Sequence, residues 1–163
     1  MSKLMDSIIK KATKLGKTIV LPEGEEPRII EAARCITDNK IAKVILLGDR
    51  EVIKTVRPDI DVDDIEVINP KTSDKFELFS NTLYELRKAK GMTIEQAQNL
   101  VKSNSLFFGA IMLKLGEADG MVGGAINSTG NVLRAGLQVV KTAPGVSTVS
   151  SCFLMSFDGT LYK

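Results

Sequence analysis

The chain has 163 residues, 44% apolar and 26% charged, a balance that suits one compact globular unit and excludes a disordered chain. Lys and Arg outnumber Asp and Glu by 22 to 20, and a net charge of +2 is too small for a protein held to nucleic acid by phosphate contacts. No segment offers the roughly 18 apolar residues of a membrane span, and the opening MSKLMDSIIKK lacks the apolar core and cleavage site of a signal peptide, so a cytoplasmic location is expected.

Helical and strand-like segments alternate along the chain. Met1 to Leu15 reads as a helix with Leu4, Ile8 and Ala12 on one face, ended by Gly16. Thr18 to Leu21 is a short β-branched run and reads as a buried strand. A loop rich in Pro and Glu follows, and Pro27 suits a first helical position. The next helix runs to about Asp38, with Ile29, Ala33 and Ile36 inward. Lys43 to Leu47 is a second strand, Glu51 to Val56 a short helix, and Ile65 to Ile68 a third strand. Strands and helices at these spacings predict parallel pairing with helical crossovers.

Ser73 to Lys90 reads as a helix with a stripe of Phe76, Phe79, Leu83 and Leu86. Thr93 and Gln96 have capping-box spacing, so another helix starts there. Leu106 to Leu115 is apolar on nearly every side and reads as a buried helix stopped by Gly116. Asp119 to Val122 is a fourth strand, and Asn127 to Lys141 a helix with Leu133, Leu137 and Val140 facing inward. Val146 to Phe157 reads as a long strand turning at Asp158-Gly159. Only Thr160 to Lys163 follow that turn, so the chain is expected to be part of a longer protein. A short edge strand is the alternative.

Histidine is absent. Ser-His-Asp and Cys-His catalysis and His-ligated zinc are therefore excluded within this chain. Two cysteines cannot build a disulfide framework, and both Cys35 and Cys152 read as structural residues. The run Asp61 to Asp64 lacks the spacing of a calcium loop. Lys10-Lys11 and Lys88 to Lys90 read as solvated faces.

The stretch richest in chemistry is ADGMVGGAINSTGNVLRAGLQVVKTAPGVSTVSSCFLM, from Ala118 to Met155. A strand runs into Gly123-Gly124, then Asn127-Ser128-Thr129-Gly130, then a helix. The glycines permit a sharp turn and close approach of a ligand. Asn127 or Ser128 can cap the helix, and the free amides of its first turn suit an anion. Ser128 and Thr129 add hydroxyls, and Arg134 lies four residues after Gly130 on the same face. A polar cap above a solvated face accounts for this pattern equally well. The spacing is neither a dinucleotide fingerprint nor a P-loop.

Three segments, TIVLPEGEEPR from Thr18, YELRKAKGMT from Tyr84 and the Ala118 to Met155 stretch, closely resemble the phosphate acetyltransferase family, in its order and over most of the chain. Phosphate butyryltransferases and the C-terminal domain of large malic enzymes share the architecture. The resemblance implies an α/β fold of three αβα layers around a mostly parallel sheet, like that of isocitrate and isopropylmalate dehydrogenases. It implies reversible transfer of an acetyl group between acetyl phosphate and coenzyme A, with coenzyme A a substrate, no tightly bound cofactor and no metal. It also implies a homodimer in full-length form, with no nucleic-acid or membrane partner. Asn127, Ser128, Thr129 and Gly130 match the acyl-phosphate loop. Arg134 and Arg87 match arginines of substrate and coenzyme A binding.

By its position beside the helix stripe alone, Arg87 reads as a side chain whose stem covers the core. Arg28 either reaches a ligand at the strand's end or pairs with Glu25 or Glu26. Residues 1–143 are expected to form a first α/β domain, and 144–163 to open a second. The family's catalytic groups belong to the C-terminal half, so this chain alone is expected to turn over little or nothing. A noncatalytic binding domain of the malic-enzyme type and a butyryltransferase are the alternative readings.

Overall fold

A computed structural model describes residues 3–157 and 160–161. Its centre is a four-stranded sheet in the order β3-β2-β1-β4. The strands are β1 (Thr18–Leu21), β2 (Lys43–Leu47), β3 (Glu66–Ile68) and β4 (Gly120–Met121). Every pairing is parallel, with Val20 beside Ile45 and Met121, and Leu46 beside Val67.

Alternation along the strands builds the layers, because successive side chains point to opposite faces. Val20, Ile45 and Leu47 point to one face, and Leu21, Val44 and Leu46 to the other. The second face is covered by α2 (Pro27–Asp38) and α3 (Arg50–Val56) through Ile30, Ala33 and Ile53. The first is covered by α4 (Phe76–Arg87), α5 (Ile94–Ser103), α6 (Ser105–Leu115) and α7 (Thr129–Ala135). The result is the expected three-layer α/β arrangement.

α6 is the central helix of the larger layer. Leu106 through Met112 are all buried. Asn104 caps it by accepting from the backbone of Leu106 and Phe107, and Gly116 ends it at φ +77°. Gly109 lets it lie close to the sheet, since a Cβ there would come 2.8 Å from Met121 Sδ and 3.2 Å from Val20 Cγ1. Phe108 meets Phe79 of α4 with ring centroids 4.7 Å apart. The capping box of Thr93 and Gln96 forms in both directions, and Pro27 occupies the first turn of α2.

Four expectations are corrected. α1 (Lys3–Leu15) forms but buries no residue, and Ile8 of its predicted inner face is 42% exposed. Periodicity makes a helix amphipathic without supplying a surface for its apolar face. α7 continues through a π-helical turn, Gly136–Val140, and buries Ala135 and Val139 instead of Leu133, Leu137 and Val140. This helix is apolar on two sides, and small and β-branched side chains took the side against the core.

Residues 146–155 do not form the long strand; only β5 (Ser156–Phe157) and β6 (Thr160–Leu161) pair, antiparallel. A strand needs a paired strand for its backbone groups, and none of the described strands pairs with 146–155. The turn residues Asp158 and Gly159 lie outside the described residues. Both cysteines are exposed rather than packed. Ile30 and Ala33 take the inner face of α2, which leaves Cys35 on the outer one.

Candidate functional site

Strands β1, β2 and β3 are laid down in one direction across the sheet, whereas β4 is added on the other side of β1. The switch in order leaves a crevice at the carboxyl ends of the strands, where open α/β sheets place ligands. A cleft of about 450 Å³ opens there, a size that suits a small organic ligand. Its walls come from the loop after β1, the ends of β2 and β3, the α5–α6 junction and the loop after β4.

The loop after β1 holds the least exposed charged residue described, Glu23, at 4%. Its carboxylate receives five hydrogen bonds from the loop after β4. Gly124 and Ala125 donate backbone N–H to Oε2, both at 2.8 Å. Ile126 and Asn127 donate theirs to Oε1 at 3.0 and 2.8 Å, and the Asn127 side-chain amide adds a fifth at 2.9 Å. Burial pushes this carboxyl's pKa up, but the donors from Ile126, Ala125 and Asn127 outweigh it and hold the value at about 2.

The outer side of that loop is held as well. Arg28 Nη2 donates to the Ala125 carbonyl at 3.0 Å and pairs with Glu26, the residue that caps α2. Of the two sequence readings of Arg28, the pairing one is seen, together with a loop contact. The rest of the cleft floor is similarly ordered. Glu25 accepts from the Asp49 backbone at 2.9 Å, and Asp49 caps α3 and accepts from the Asn69 amide at 2.9 Å. Lys71 and Lys102 supply positive charge to the lining.

The structure places the sequence-derived residues unequally. Asn127 lines the cleft. Ser128 is the N-cap of α7, its Oγ accepting from the Asn131 backbone at 3.3 Å. Thr129 and Gly130 open the helix on an exposed surface, and a Cβ at Gly130 would meet nothing nearer than Ser128 Oγ at 3.9 Å. Arg134 follows on α7 and is exposed. These five therefore belong to one loop-helix unit. Arg87 is apart from them. It closes α4, it does not line the cleft, and its buried Nε has no hydrogen-bond partner.

In the sequence Glu23 reads only as a loop residue. Its sole local signal was a carboxylate between Pro22 and Gly24 directly after a buried strand. The donors that define it lie 101–104 positions away. They also bound the anion site. The amides of residues 124–127 are occupied by an internal carboxylate, so the first-turn amides of Thr129 and Gly130, with the hydroxyls of Ser128 and Thr129, are the groups left for an incoming anion.

A family model described as phosphate acetyl/butaryl transferase matches residues 3–162. A phosphate acetyltransferase of Acetivibrio thermocellus is 50% identical over 151 residues, covering 93% of this chain and 45% of the relative. One from Thermoanaerobacterium thermosaccharolyticum is 45% identical, with 93% and 46% covered. Among solved structures, the EutD phosphotransacetylase of Staphylococcus aureus superimposes with a TM-score of 0.88 at 37% identity, over 98% of this chain and 48% of that one. A phosphotransacetylase of Streptococcus pyogenes gives 0.89 at 33%, over 97% and 49%. The chain thus spans about half the length of the relatives it matches.

Proposed function

The chain belongs to the phosphate acetyl/butaryl transferase family, and on that premise we propose that it supplies one wall of an active site that moves an acetyl group reversibly between acetyl phosphate and coenzyme A. The thiolate of coenzyme A attacks the acetyl carbonyl, the carbon–oxygen bond to the phosphoryl group breaks, and phosphate leaves with the electron pair. The observation that carries this reading is the ordered loop from Gly124 to Gly130 at the mouth of the cleft, held from below by Glu23 and from outside by Arg28.

In this reading Asn127, Ser128 and Thr129 receive the phosphoryl oxygens, and Gly130 leaves them space. Arg134 faces the charge from the same helix with a planar fork suited to phosphate. Arg87 contributes to coenzyme A from a separate position. Coenzyme A and acetyl phosphate are substrates, with no tightly held cofactor. Residues 1–143 form the first domain, and 144–163 open the second. The working form is a cytoplasmic homodimer. Among the described residues no helix is long and apolar enough to cross a membrane.

The test is an assay for acetyl-CoA formation from acetyl phosphate and coenzyme A. It compares this chain with the same chain completed by the remaining half of the Acetivibrio thermocellus relative. The completed protein is expected to turn over and the 163-residue chain to show little or no rate. Binding of acetyl-CoA without turnover by the completed protein would instead support a noncatalytic domain. Preference for butyryl phosphate in competition would move the assignment to the butyryl branch.

A further inference from the structure

Both oxygens of Glu23 are saturated. Two donors reach Oε2 and three reach Oε1, all between 2.8 and 3.0 Å. That leaves no lone pair directed into the cleft. A carboxyl held at about pKa 2 is also a poor proton acceptor near neutral pH. Glu23 is therefore not a general base, although it is a buried charge facing a cleft. Its five partners instead define the path of four consecutive residues immediately before the Ser128 cap.

We infer that Glu23 is a positioning residue for the oxyanion subsite, an internal anion that fixes the path of residues 124–127 and so sets how Asn127, Ser128 and Thr129 meet a phosphate group. The inference rests on the acetyl phosphate reading of this site. It has a structural consequence for specificity. The amides of residues 124–127 face inward to Glu23, so an incoming phosphate is read by hydroxyls, a guanidinium and the backbone N–H groups of the first turn of α7 rather than by the loop before it. The opposite side of Ala125 is held by Arg28, so this residue is clamped at both its N–H and its C=O.

Glutamine cannot replace this carboxylate, because its NH2 would oppose the N–H donors on one of the two oxygens. Aspartate keeps the charge but is one methylene short of reaching both sets of donors. In the 163-residue chain, Glu23→Gln is expected to speed hydrogen exchange of the amides 124–127 by roughly ten- to hundredfold, the scale of a lost charge-assisted hydrogen bond. The Val44 to Leu47 amides should stay protected. Titration with inorganic phosphate should shift the Ser128, Thr129 and Gly130 amides of the wild-type chain, and about tenfold more phosphate should be needed in the variant.

In the completed protein, Glu23→Gln should raise KM for acetyl phosphate and leave KM for coenzyme A unchanged, with Glu23→Asp recovering part of the loss. The inference is overturned if phosphate moves those amides equally in both chains, or not at all in the wild type. It is also overturned if both KM values change alike. Should Glu23→Gln fail to fold, Glu23→Asp decides. Uniform loosening with no selective effect on residues 124–127 would reduce Glu23 to a purely structural role. Absence of turnover in the completed wild-type protein would defeat the acetyl-transfer reading and leave the exchange and phosphate results to judge Glu23 independently.

Discussion

Gly24 donates its backbone N–H to the Leu47 carbonyl at 3.1 Å, and a Cβ built on Gly24 would stand 2.7 Å from that same oxygen. The neighbour is backbone at the end of β2 and cannot swing aside. This contact ties the loop after β1 to β2 one residue beyond Glu23. Gly24→Ala is expected to lower stability by about 1–3 kcal/mol, the usual cost of overpacking. Urea unfolding of the two chains measures it, and an unchanged midpoint would show that the loop has room to shift.

Glu23 also couples stability to pH. Its ordinary value is 4.5 and its folded value about 2. A depressed carboxyl stabilises the fold fully above the unfolded value, and the contribution is lost as pH falls from about 4.5 towards 2. The shift corresponds to about 3 kcal/mol for this buried group. Glu23→Gln should therefore flatten the acid limb of the stability–pH curve relative to the wild type. Other depressed acids such as Asp59 and Asp119 remain in both proteins. Parallel curves between pH 2 and 5 would contradict the assignment.

The orientation of α7 makes a paired prediction. Val139 is fully buried, whereas Leu137 is 47% exposed. Val139→Ala is expected to cost about 2 kcal/mol through lost burial and a cavity. Leu137→Ala, although it removes more atoms, should cost about 0.5 kcal/mol in the 163-residue chain. Thermal unfolding of both variants gives the order, and the reverse order would restore the inner face read from the sequence.

Asn104 closes the first turn of the most buried helix, accepting from Leu106 at 3.1 Å and Phe107 at 3.4 Å. Asn104→Ala should cost about 1 kcal/mol, as for other N-caps. A calorimetric comparison would register this as a lower Tm, and no change would mean that water replaces the cap without loss.

Arg87, at the end of α4, has a buried Nε without a hydrogen-bond partner. Arg87→Lys keeps the charge and removes the fork. In the completed protein it is expected to raise the apparent KM for coenzyme A several-fold, a loss of about 1 kcal/mol. Unchanged affinity would return Arg87 to covering the core beside Leu83 and Leu86.

Much of the architecture was legible from local chemistry. The short apolar runs of β1 and β2, the Thr93–Gln96 box, Pro27 at the start of α2 and Gly116 after α6 each act within a few residues. Such signals survive without knowledge of the fold. The Ser128 cap and the place of Arg134 on the helix that follows were legible for the same reason, since one loop and one helix carry them. What failed depended on partners. Leu133, Leu137 and Val140 were a valid apolar face of a helix with a second one, and the packing against α6 decided between them. The strand expected over 146–157 had suitable residues, but only its last two found a described strand to pair with.

The sequence by itself determined the helices and the strands of the central sheet, because propensity, caps and periodicity are properties of neighbours in the chain. Tertiary structure alone decided that Glu23 is buried and ionised. A carboxylate is stable below the surface only when donors surround it. Those donors belong to residues 124–127, which reach Glu23 only when β4 settles beside β1.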